Sequence, residues 1–209
     1  YMMDFGKLVQ DAEAMKRFGS TMVMWDLKAM KPQKVLSVPG SPLEIRWSLK
    51  AGDNWALTAT ALTSQLVLVK QDAAGEWQAK AVAAVGDPAQ IPLPVDISIT
   101  ADAKGLWVNT FMDGKARYFD LSNPEAPVQT YEKVIGKQVN MVSQSWDGKR
   151  VYFTSSLLGS WDKRGADDEQ FLRDVGEQQG VGRIHHARVV PREARQLHGL
   201  RTGRDDRLA

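Results

Sequence analysis

The stretch QVNMVSQSWDGKRVYFTSSLLGSWDK, residues 138–163, decides the fold because it joins a tight turn to a β-strand in one short window. Its turn, Trp146-Asp147-Gly148-Lys149, is of the Asp-Gly type that favours positive φ, and residues 150–155 after it are rich in β-branched and aromatic side chains. This order predicts a β-hairpin. The same order occurs 45 residues earlier around Asp102 and, in a weaker form, around Asp53. We therefore expect Asp53, Asp102 and Asp147 to occupy equivalent turns.

A second marker has nearly the same spacing. Trp25-Asp26-Leu27 and Phe119-Asp120-Leu121 lie 94 residues apart, twice 47, and each follows an apolar strand. Asp-Gly turns also recur by chance in all-β proteins, but two marker series with one period favour a true repeat. Short strands with a period of about 45 residues are typical of β-propeller blades, each a four-stranded sheet. We predict an all-β partial β-propeller of three to four antiparallel blades with at least ten strands.

Apolar and alternating runs give the order of elements in this repeat. They predict a short helix within residues 5–18 and strands at 19–27, 34–38, 43–49, 55–60, 65–70, 77–85, 95–99, 106–110, 116–120, 128–134, 141–145 and 151–155. A turn at Lys31-Pro32 is expected to join the first two strands. The last blade is left uncompleted, and residues 164–175 are typical of a capped helical turn or of an excursion from the blade. We accordingly place one incomplete propeller domain at residues 1–175 and a tail at 176–209.

The tail differs from the rest of the chain in composition. Residues 181–209 contain seven Arg, three acidic residues and all three His, but no Lys and no aromatic residue. A disordered solvated tail and a nucleic-acid-binding arm are two explanations of such an Arg-rich segment. We favour a third, a frame or truncation artefact, because the segment interrupts a blade in mid-construction. Nucleic acid is therefore not an expected partner.

Composition excludes several classes of site. The chain contains no Cys, so its residues can form neither a disulfide framework nor a thiolate metal site nor a Cys nucleophile. No apolar run reaches the roughly 18 residues of a membrane span, and we expect no membrane partner. Gly-rich phosphate loops, nucleophile elbows and zinc-type His/Cys clusters are absent from the predicted propeller. The pair His185-His186 lies in the tail, and we predict no metal ligands in this chain.

Several stretches resemble the selenium-binding protein family, which includes bacterial methanethiol oxidases. The likeness covers residues 19–163 in the same order and is carried by GSTMVMWDL (19–27), PLEIR (42–46), VDIS (95–98), YFDLSNP (118–124), SWDGKRVYFTSSL (145–157) and SWDK (160–163). The residues that match the family's motifs are Trp25, Asp26, Asp120, Asp147, Gly148, Trp161, Asp162 and Lys163. This resemblance implies a seven-bladed propeller, of which the chain forms part.

The resemblance also implies a function and a cofactor. Methanethiol oxidases of the family convert methanethiol to formaldehyde, hydrogen sulfide and hydrogen peroxide at a His-rich copper site, so a small thiol is the implied substrate. The present chain has Thr21 and Leu49 where the family often has His, and neither side chain offers the imidazole nitrogen that copper favours. We therefore expect no copper binding and no activity from this piece alone. A non-catalytic propeller that binds a protein partner or another ligand is the alternative function. A periplasmic location is favoured for a bacterial family member, with the cytoplasm as the alternative.

Four residues are candidates for a ligand site in the central channel. Glu44 and Arg46 are two apart on a predicted strand and so share one face, and Asp96 is expected at the corresponding place in the next blade. The alternative for Glu44 and Arg46 is an ion pair that braces neighbouring blades. Asn109, near the end of a second strand, is the fourth candidate, and its alternative role is to satisfy the backbone of a loop.

Overall fold

The computed structural model of the chain describes residues 11–155, 172–176 and 184–187. These residues form fourteen β-strands in four antiparallel sheets, with one four-residue helix, α1 (Ala12–Met15), and one 3-10 turn, Pro88–Gln90. No helix in the described part of the chain is long and apolar enough to cross a membrane. The all-β prediction is therefore confirmed.

Each sheet is one blade, and the strands follow one another along the chain. The first sheet holds β1 (Thr21–Asp26) and β2 (Lys31–Ser37). The second holds β3 (Pro42–Trp47), β4 (Trp55–Thr60), β5 (Gln65–Gln71) and β6 (Trp77–Ala84). The third holds β7 (Pro94–Ile99), β8 (Gly105–Thr110), β9 (Lys115–Asp120) and β10 (Val128–Val134). The fourth holds β11 (Val139–Gln144), β12 (Arg150–Ser155), β13 (Leu172–Gly176) and β14 (Ile184–Ala187).

Two predicted elements at the end of the propeller are wrong. The last blade is completed by β13 and β14, because β13 pairs with the free edge of β12 from Arg150↔Gly176 to Thr154↔Leu172. Residues 172–175 are thus a strand and not part of a helical turn; residues 164–171 lie outside the described residues. The predicted domain boundary at 175 falls inside β13, and β14 lies within the segment assigned to the tail. The origin of the tail stays a prediction.

Two further differences concern the start of the chain. Lys31 and Pro32 belong to β2, so the predicted turn at these residues is wrong; the chain turns at 27–30 instead. The reason is Asp26, whose carboxylate accepts hydrogen bonds of 2.9 Å from the backbone N–H groups of Lys28 and Ala29. The predicted helix is limited to α1 in the described residues, where Asp11 caps it by accepting from the N–H groups of Glu13 and Ala14.

The core lies in the seams between blades, since both faces of an inner blade are covered by its neighbours. The seam between the second and third blades contains Leu57, Leu66, Leu68, Ile97, Leu106, Val108 and Phe119. The seam between the third and fourth contains Trp107, Ala116, Val139, Val142, Val151 and Phe153. The first sheet packs on the second through Met24, Leu36 and Val38. The first strands β3, β7 and β11 lie side by side and bring their polar residues together.

Candidate functional site

The three complete blades begin in the same way. In each blade the pairing between the first and second strands shifts register after its first residue pair. The shift lies between Pro42 and Glu44 in the second blade, between Pro94 and Asp96 in the third, and between Val139 and Met141 in the fourth. Glu44 and Asp96 therefore hold equivalent positions in successive blades, as the sequence predicted. Arg46 is in turn equivalent to Ser98. The shared bulge places all of these side chains at the start of the innermost strands.

Asp96 joins three blades through one carboxylate. Its Oδ1 accepts a hydrogen bond of 2.8 Å from its neighbour's N–H, that of Ile97, and its Oδ2 accepts one of 2.8 Å from the N–H of Val142 on β11. Arg46 on β3 donates to Oδ1 over 3.4 Å. The side chain is only 3% exposed, and this burial raises the pKa of Asp96 in spite of the two backbone N–H groups and the nearby guanidinium.

Arg46 and Glu44 form an ion pair within β3, and both side chains remain partly exposed. The guanidinium of Arg46 thus lies between two carboxylates, that of Glu44 on its own strand and that of Asp96 on the next blade. The contact to Asp96 braces neighbouring blades, which is the structural role that the sequence left open for this pair. Part of the pair faces solvent at the inner edge, so a ligand in the channel could still reach Glu44 and Arg46.

Asn109 lies directly opposite Asp96 on β8, and opposite residues of an antiparallel pair share one face of the sheet. Its side chain is completely buried, and neither its amide nitrogen nor its amide oxygen has a hydrogen-bond partner. The expectation that Asn109 satisfies a loop backbone is therefore wrong, because the residue is inside a strand and faces the neighbouring blade. Buried polar groups are nearly always paired, so an unpaired amide here marks the inner end of this seam as unusual.

A second polar contact joins the same two blades. Gln144 on β11 donates from Nε2 to the hydroxyl oxygen of Ser98 over 2.8 Å and to two backbone carbonyls, those of Ser98 and Ile99, over 3.2 and 3.1 Å. Sequence reasoning missed this contact, because nothing in the sequence pairs a Gln with a Ser 46 residues away. The candidate site is thus a cluster at the inner edges of the second, third and fourth blades, consisting of Glu44, Arg46, Asp96, Asn109, Ser98 and Gln144.

The Asp residues of the three repeated turns do not belong to this cluster. Asp53, Asp102 and Asp147 all occupy the turn between the first and second strands of their blades, so the predicted equivalence is confirmed. Each accepts a hydrogen bond from a hydroxyl group, of Ser48, Thr100 and Ser145 respectively. The hydroxyl and a backbone N–H lower the pKa of both Asp102 and Asp147, and Gly148 adopts the positive φ of 68° that its turn requires.

The Trp-Asp motif residues that the structure describes also lie outside this cluster. Trp25 is exposed on β1, and Asp26 and Asp120 end β1 and β9. The hydroxyl and N–H of Ser122 both donate to Asp120 and lower its pKa. Trp161, Asp162 and Lys163 lie outside the described residues, so their predicted place near the channel stays a prediction.

Arg117 on β9 is a deeply buried charged residue that the sequence analysis missed. Its side chain is 2% exposed, and its guanidinium donates to Asp113, to the hydroxyl of Thr110 and, over 2.9 Å, to Glu132. Gly86 of the preceding connector lies against it; a Cβ at this position would be 2.7 Å from Nη2. The residues border an open cleft of about 740 Å³. Each nitrogen of the Arg117 guanidinium has a partner within the third blade, so the buried charge is fully paired.

The described residues do not offer a metal centre. No three of their His, Cys, Asp and Glu side chains are close enough together to hold an ion. Residues 1–180 contain no His and no Cys, and His185 and His186 lie in β14. The donors at the inner edge are carboxylate, amide and hydroxyl oxygens, which suit hard cations and are poor ligands for copper.

Comparison with known proteins places these features in a family. The sequence profile of the 56 kDa selenium-binding protein family (SBP56) matches residues 3–188. The chain is 67% identical over 173 residues to a methanethiol oxidase of Hyphomicrobium sp., and this match covers 83% of the chain but only 40% of the relative. The chain thus spans about two fifths of that relative's length.

Solved structures support the fold. A hypothetical selenium-binding protein from Sulfolobus tokodaii superposes with a TM-score of 0.68 at 24% identity, over 83% of this chain and 46% of that one. The β-propeller domain of Cps50 (Swd1) from Myceliophteria thermophila superposes with a TM-score of 0.55 at 13% identity, over 75% of this chain and 45% of that one. At these identities the likeness shows the propeller fold alone.

Proposed function

The chain belongs to the family of 56 kDa selenium-binding proteins, and we propose on this basis that the protein built on these blades oxidises methanethiol. In this reaction the carbon of the thiol is oxidised to formaldehyde and dioxygen is reduced to hydrogen peroxide. One water supplies the oxygen of formaldehyde, and the sulfur leaves as hydrogen sulfide. The identity to the Hyphomicrobium methanethiol oxidase carries the proposal, because it extends over most of the described blades.

We assign a positioning role to the polar residues at the inner edge of these blades. The Arg46 guanidinium is held between Glu44 and Asp96 where the channel begins. The side chain of Arg46 remains partly exposed, so its N–H groups can donate hydrogen bonds to a small ligand in the channel. Asp96 is buried behind Arg46 and keeps it in place, so Asp96 acts through Arg46 and not on the substrate directly.

Copper is the cofactor that the family resemblance implies, and it would supply the redox chemistry with dioxygen. The described residues do not fit it, because they bring no imidazole or thiolate donors together. Our prediction is that the folded part of the 209-residue chain does not bind copper tightly, because carboxylates are poor ligands for copper. Isothermal titration of copper into the full chain and into a chain ending at Gly180 tests this. Tight stoichiometric binding that survives the truncation would contradict the prediction.

The proposed activity is tested on the full-length gene product that contains this sequence. The purified protein is supplied with methanethiol in air-saturated buffer, and formaldehyde, hydrogen sulfide and peroxide are measured. We expect the three products in equal amounts, together with copper in the purified protein by elemental analysis. A metal-free protein that leaves methanethiol unchanged and retains a protein partner during purification would overturn the proposal in favour of an interaction module.

A further inference from the structure

The connectors between successive blades have matching ends but differ in length. Each begins with a buried apolar residue that donates its backbone N–H to the residue just before a strand; these residues are Val38, Val85 and Ile135. Each ends with a residue of positive φ directly before the first strand of the next blade; these are Ser41, Leu93 and Gln138. Two residues lie between these ends in the first connector, 39–40, and in the third, 136–137, but seven in the second, 86–92. The seven residues 86–92, the long connector, are therefore more than the joining of two blades requires.

The blade that follows the long connector also carries charged residues that the repeat does not require. The register of the strands makes Arg117 on β9 equivalent to Val67 on β5. The same register gives the other equivalent pairs, which are Asp113 with Thr63, Lys115 with Gln65, and Glu132 with Ala81. The four residues of the third blade form one network of ion pairs, whereas their counterparts in the second blade are uncharged.

These two departures from the repeat meet in one place. The long connector and the network of ion pairs border the same open cleft of about 740 Å³, which is a volume typical of sites for small molecules. Asp87 and Gln90 line it from the long connector, and Lys115, Gln129 and Glu132 line it from the third blade. A loop that exceeds what the fold requires and borders such a cleft is a common position for binding residues.

The long connector holds a defined shape on its side of the cleft. The carboxylate of Asp87 accepts a hydrogen bond of 3.0 Å from the N–H of Ala89 and so begins the 3-10 turn. Ile91 ends this turn with a φ of 45°, which is a strained conformation for a β-branched residue. Strain of this kind is concentrated at functional sites, because folding alone does not favour it. The wall of the cleft is therefore formed before any ligand arrives.

The charges in the cleft indicate the class of ligand. Lys115 and Arg117 already pair with the carboxylates of the network, and Asp87 adds one more carboxylate at the rim. An anion would therefore meet several acidic side chains, and no three of the described acidic groups are placed to hold a metal ion. A hydroxyl group both donates and accepts, and the cleft offers amide and ammonium donors beside carboxylate acceptors. Neutral molecules with several hydroxyl groups match this set.

We propose that this cleft is a binding site for a small neutral polyhydroxy compound of the sugar or polyol class. Gln90 contacts the ligand from the long connector, and Gln129 and Glu132 contact it from β10. The proposal is independent of the proposed catalytic activity, because none of these residues belongs to the cluster at the inner edges of the blades.

The first test titrates neutral polyols into the full 209-residue chain. The probes are glucose, sorbitol and myo-inositol, and binding is followed by NMR through the shifts of the backbone amides. We expect saturable shifts within residues 86–92, 113–117 and 129–132 with at least one probe, and weaker binding of glucose 6-phosphate than of glucose, because like charges repel. The absence of saturable shifts in these residues with all three probes would overturn the proposal. Tighter binding of glucose 6-phosphate than of glucose would do the same.

Two variants and a control test which residues form the site. Gln129→Ala removes an amide that lines the cleft, and Gln78→Ala removes an exposed amide on β6, outside it. We expect Gln129→Ala to weaken polyol binding about fivefold, as for the loss of one hydrogen bond, and Gln78→Ala to leave it unchanged. In a further variant a copy of residues 39–40 replaces the long connector, which should preserve the blades and abolish binding. Binding that survives both changes at the cleft would overturn the proposal.

Discussion

The two seams on either side of the third blade differ in how they treat buried polar groups. In the seam towards the second blade, the Arg117 guanidinium is enclosed by Asp113, Thr110 and Glu132 and has a partner on each nitrogen. In the seam towards the fourth blade, three side chains, Trp107, Asn109 and Tyr131, have buried polar atoms without a partner. The paired guanidinium in the first seam stabilises the fold. The second keeps polar groups that cost stability, which is typical of a functional region.

The directions of the pKa shifts in the two seams show the same difference. Lys115 and Arg117 lower the pKa of Glu132 in the first seam, because hydrogen bonds and positive charge favour its ionised form. Burial is the main influence in the second, where it raises the pKa of Asp96 and of Tyr131. Ionised groups are thus stabilised in the first seam and disfavoured in the second.

The largest effect is expected from the first seam. Arg117→Met should lower the free energy of unfolding by about 3 kcal/mol, because Asp113, Thr110 and Glu132 lose a shared buried donor. Lys115→Met is the matched control: Lys115 also pairs with Glu132 but is far more exposed, and its loss should cost less than about 1 kcal/mol. Urea denaturation of both variants measures the difference. Equal costs would show that burial of Arg117 contributes nothing to the seam.

A smaller effect is expected at Asp96, where the two seams meet. Asp96→Leu should cost about 2 kcal/mol, because the N–H groups of Ile97 and Val142 are left without an acceptor. Asp96→Asn keeps one acceptor and should cost less. Differential scanning calorimetry of the three proteins checks the order.

The same residue gives a pH dependence with a defined sign. The folded protein holds the proton of Asp96 more tightly than the unfolded chain, because burial raises its pKa. The contribution of Asp96 to stability is therefore greatest below about pH 4 and falls as the pH rises through the pKa of the folded state. Relative to Asp96→Asn, the wild-type chain should lose stability between pH 3 and pH 7. A gain over this range would show that the backbone N–H groups and Arg46 outweigh burial.

Much of the fold could be predicted because strand-forming patterns are local. The strands at 55–60 and 128–134 have the predicted bounds, and the Asp-containing turns follow from residues next to one another. The equivalence of Glu44 and Asp96 was also predictable, since it follows from the repeat. The completion of the fourth blade was not, because β13 and β14 come from sequence with no strand-like alternation and depend on the free edge of β12.

The environment of the site residues depends on contacts that the sequence does not display. Arg117 alternates with apolar residues in KARYFD and gives no sign that Glu132, Asp113 and Gly86 surround it. Asn109 likewise occurs in GLWVNT, where an amide near the end of a strand usually bonds to a turn. Whether a polar side chain in a strand finds a partner is decided by the neighbouring blade, which the local sequence does not specify.

The most direct test of the unpaired groups in the second seam compares two buried amides, one without a partner on the third blade and one with a partner on the fourth. Asn109 has no partner, and the same position in the second blade is Ala59; Asn140 on β11 accepts a hydrogen bond of 3.1 Å from Thr154. The measurement is the free energy of unfolding of Asn109→Ala and Asn140→Ala. We expect Asn140→Ala to lose about 1 kcal/mol and Asn109→Ala to be unchanged or more stable by up to about 1 kcal/mol. A loss at Asn109 as large as that at Asn140 would contradict the account, because the amide would then contribute to the fold like any other.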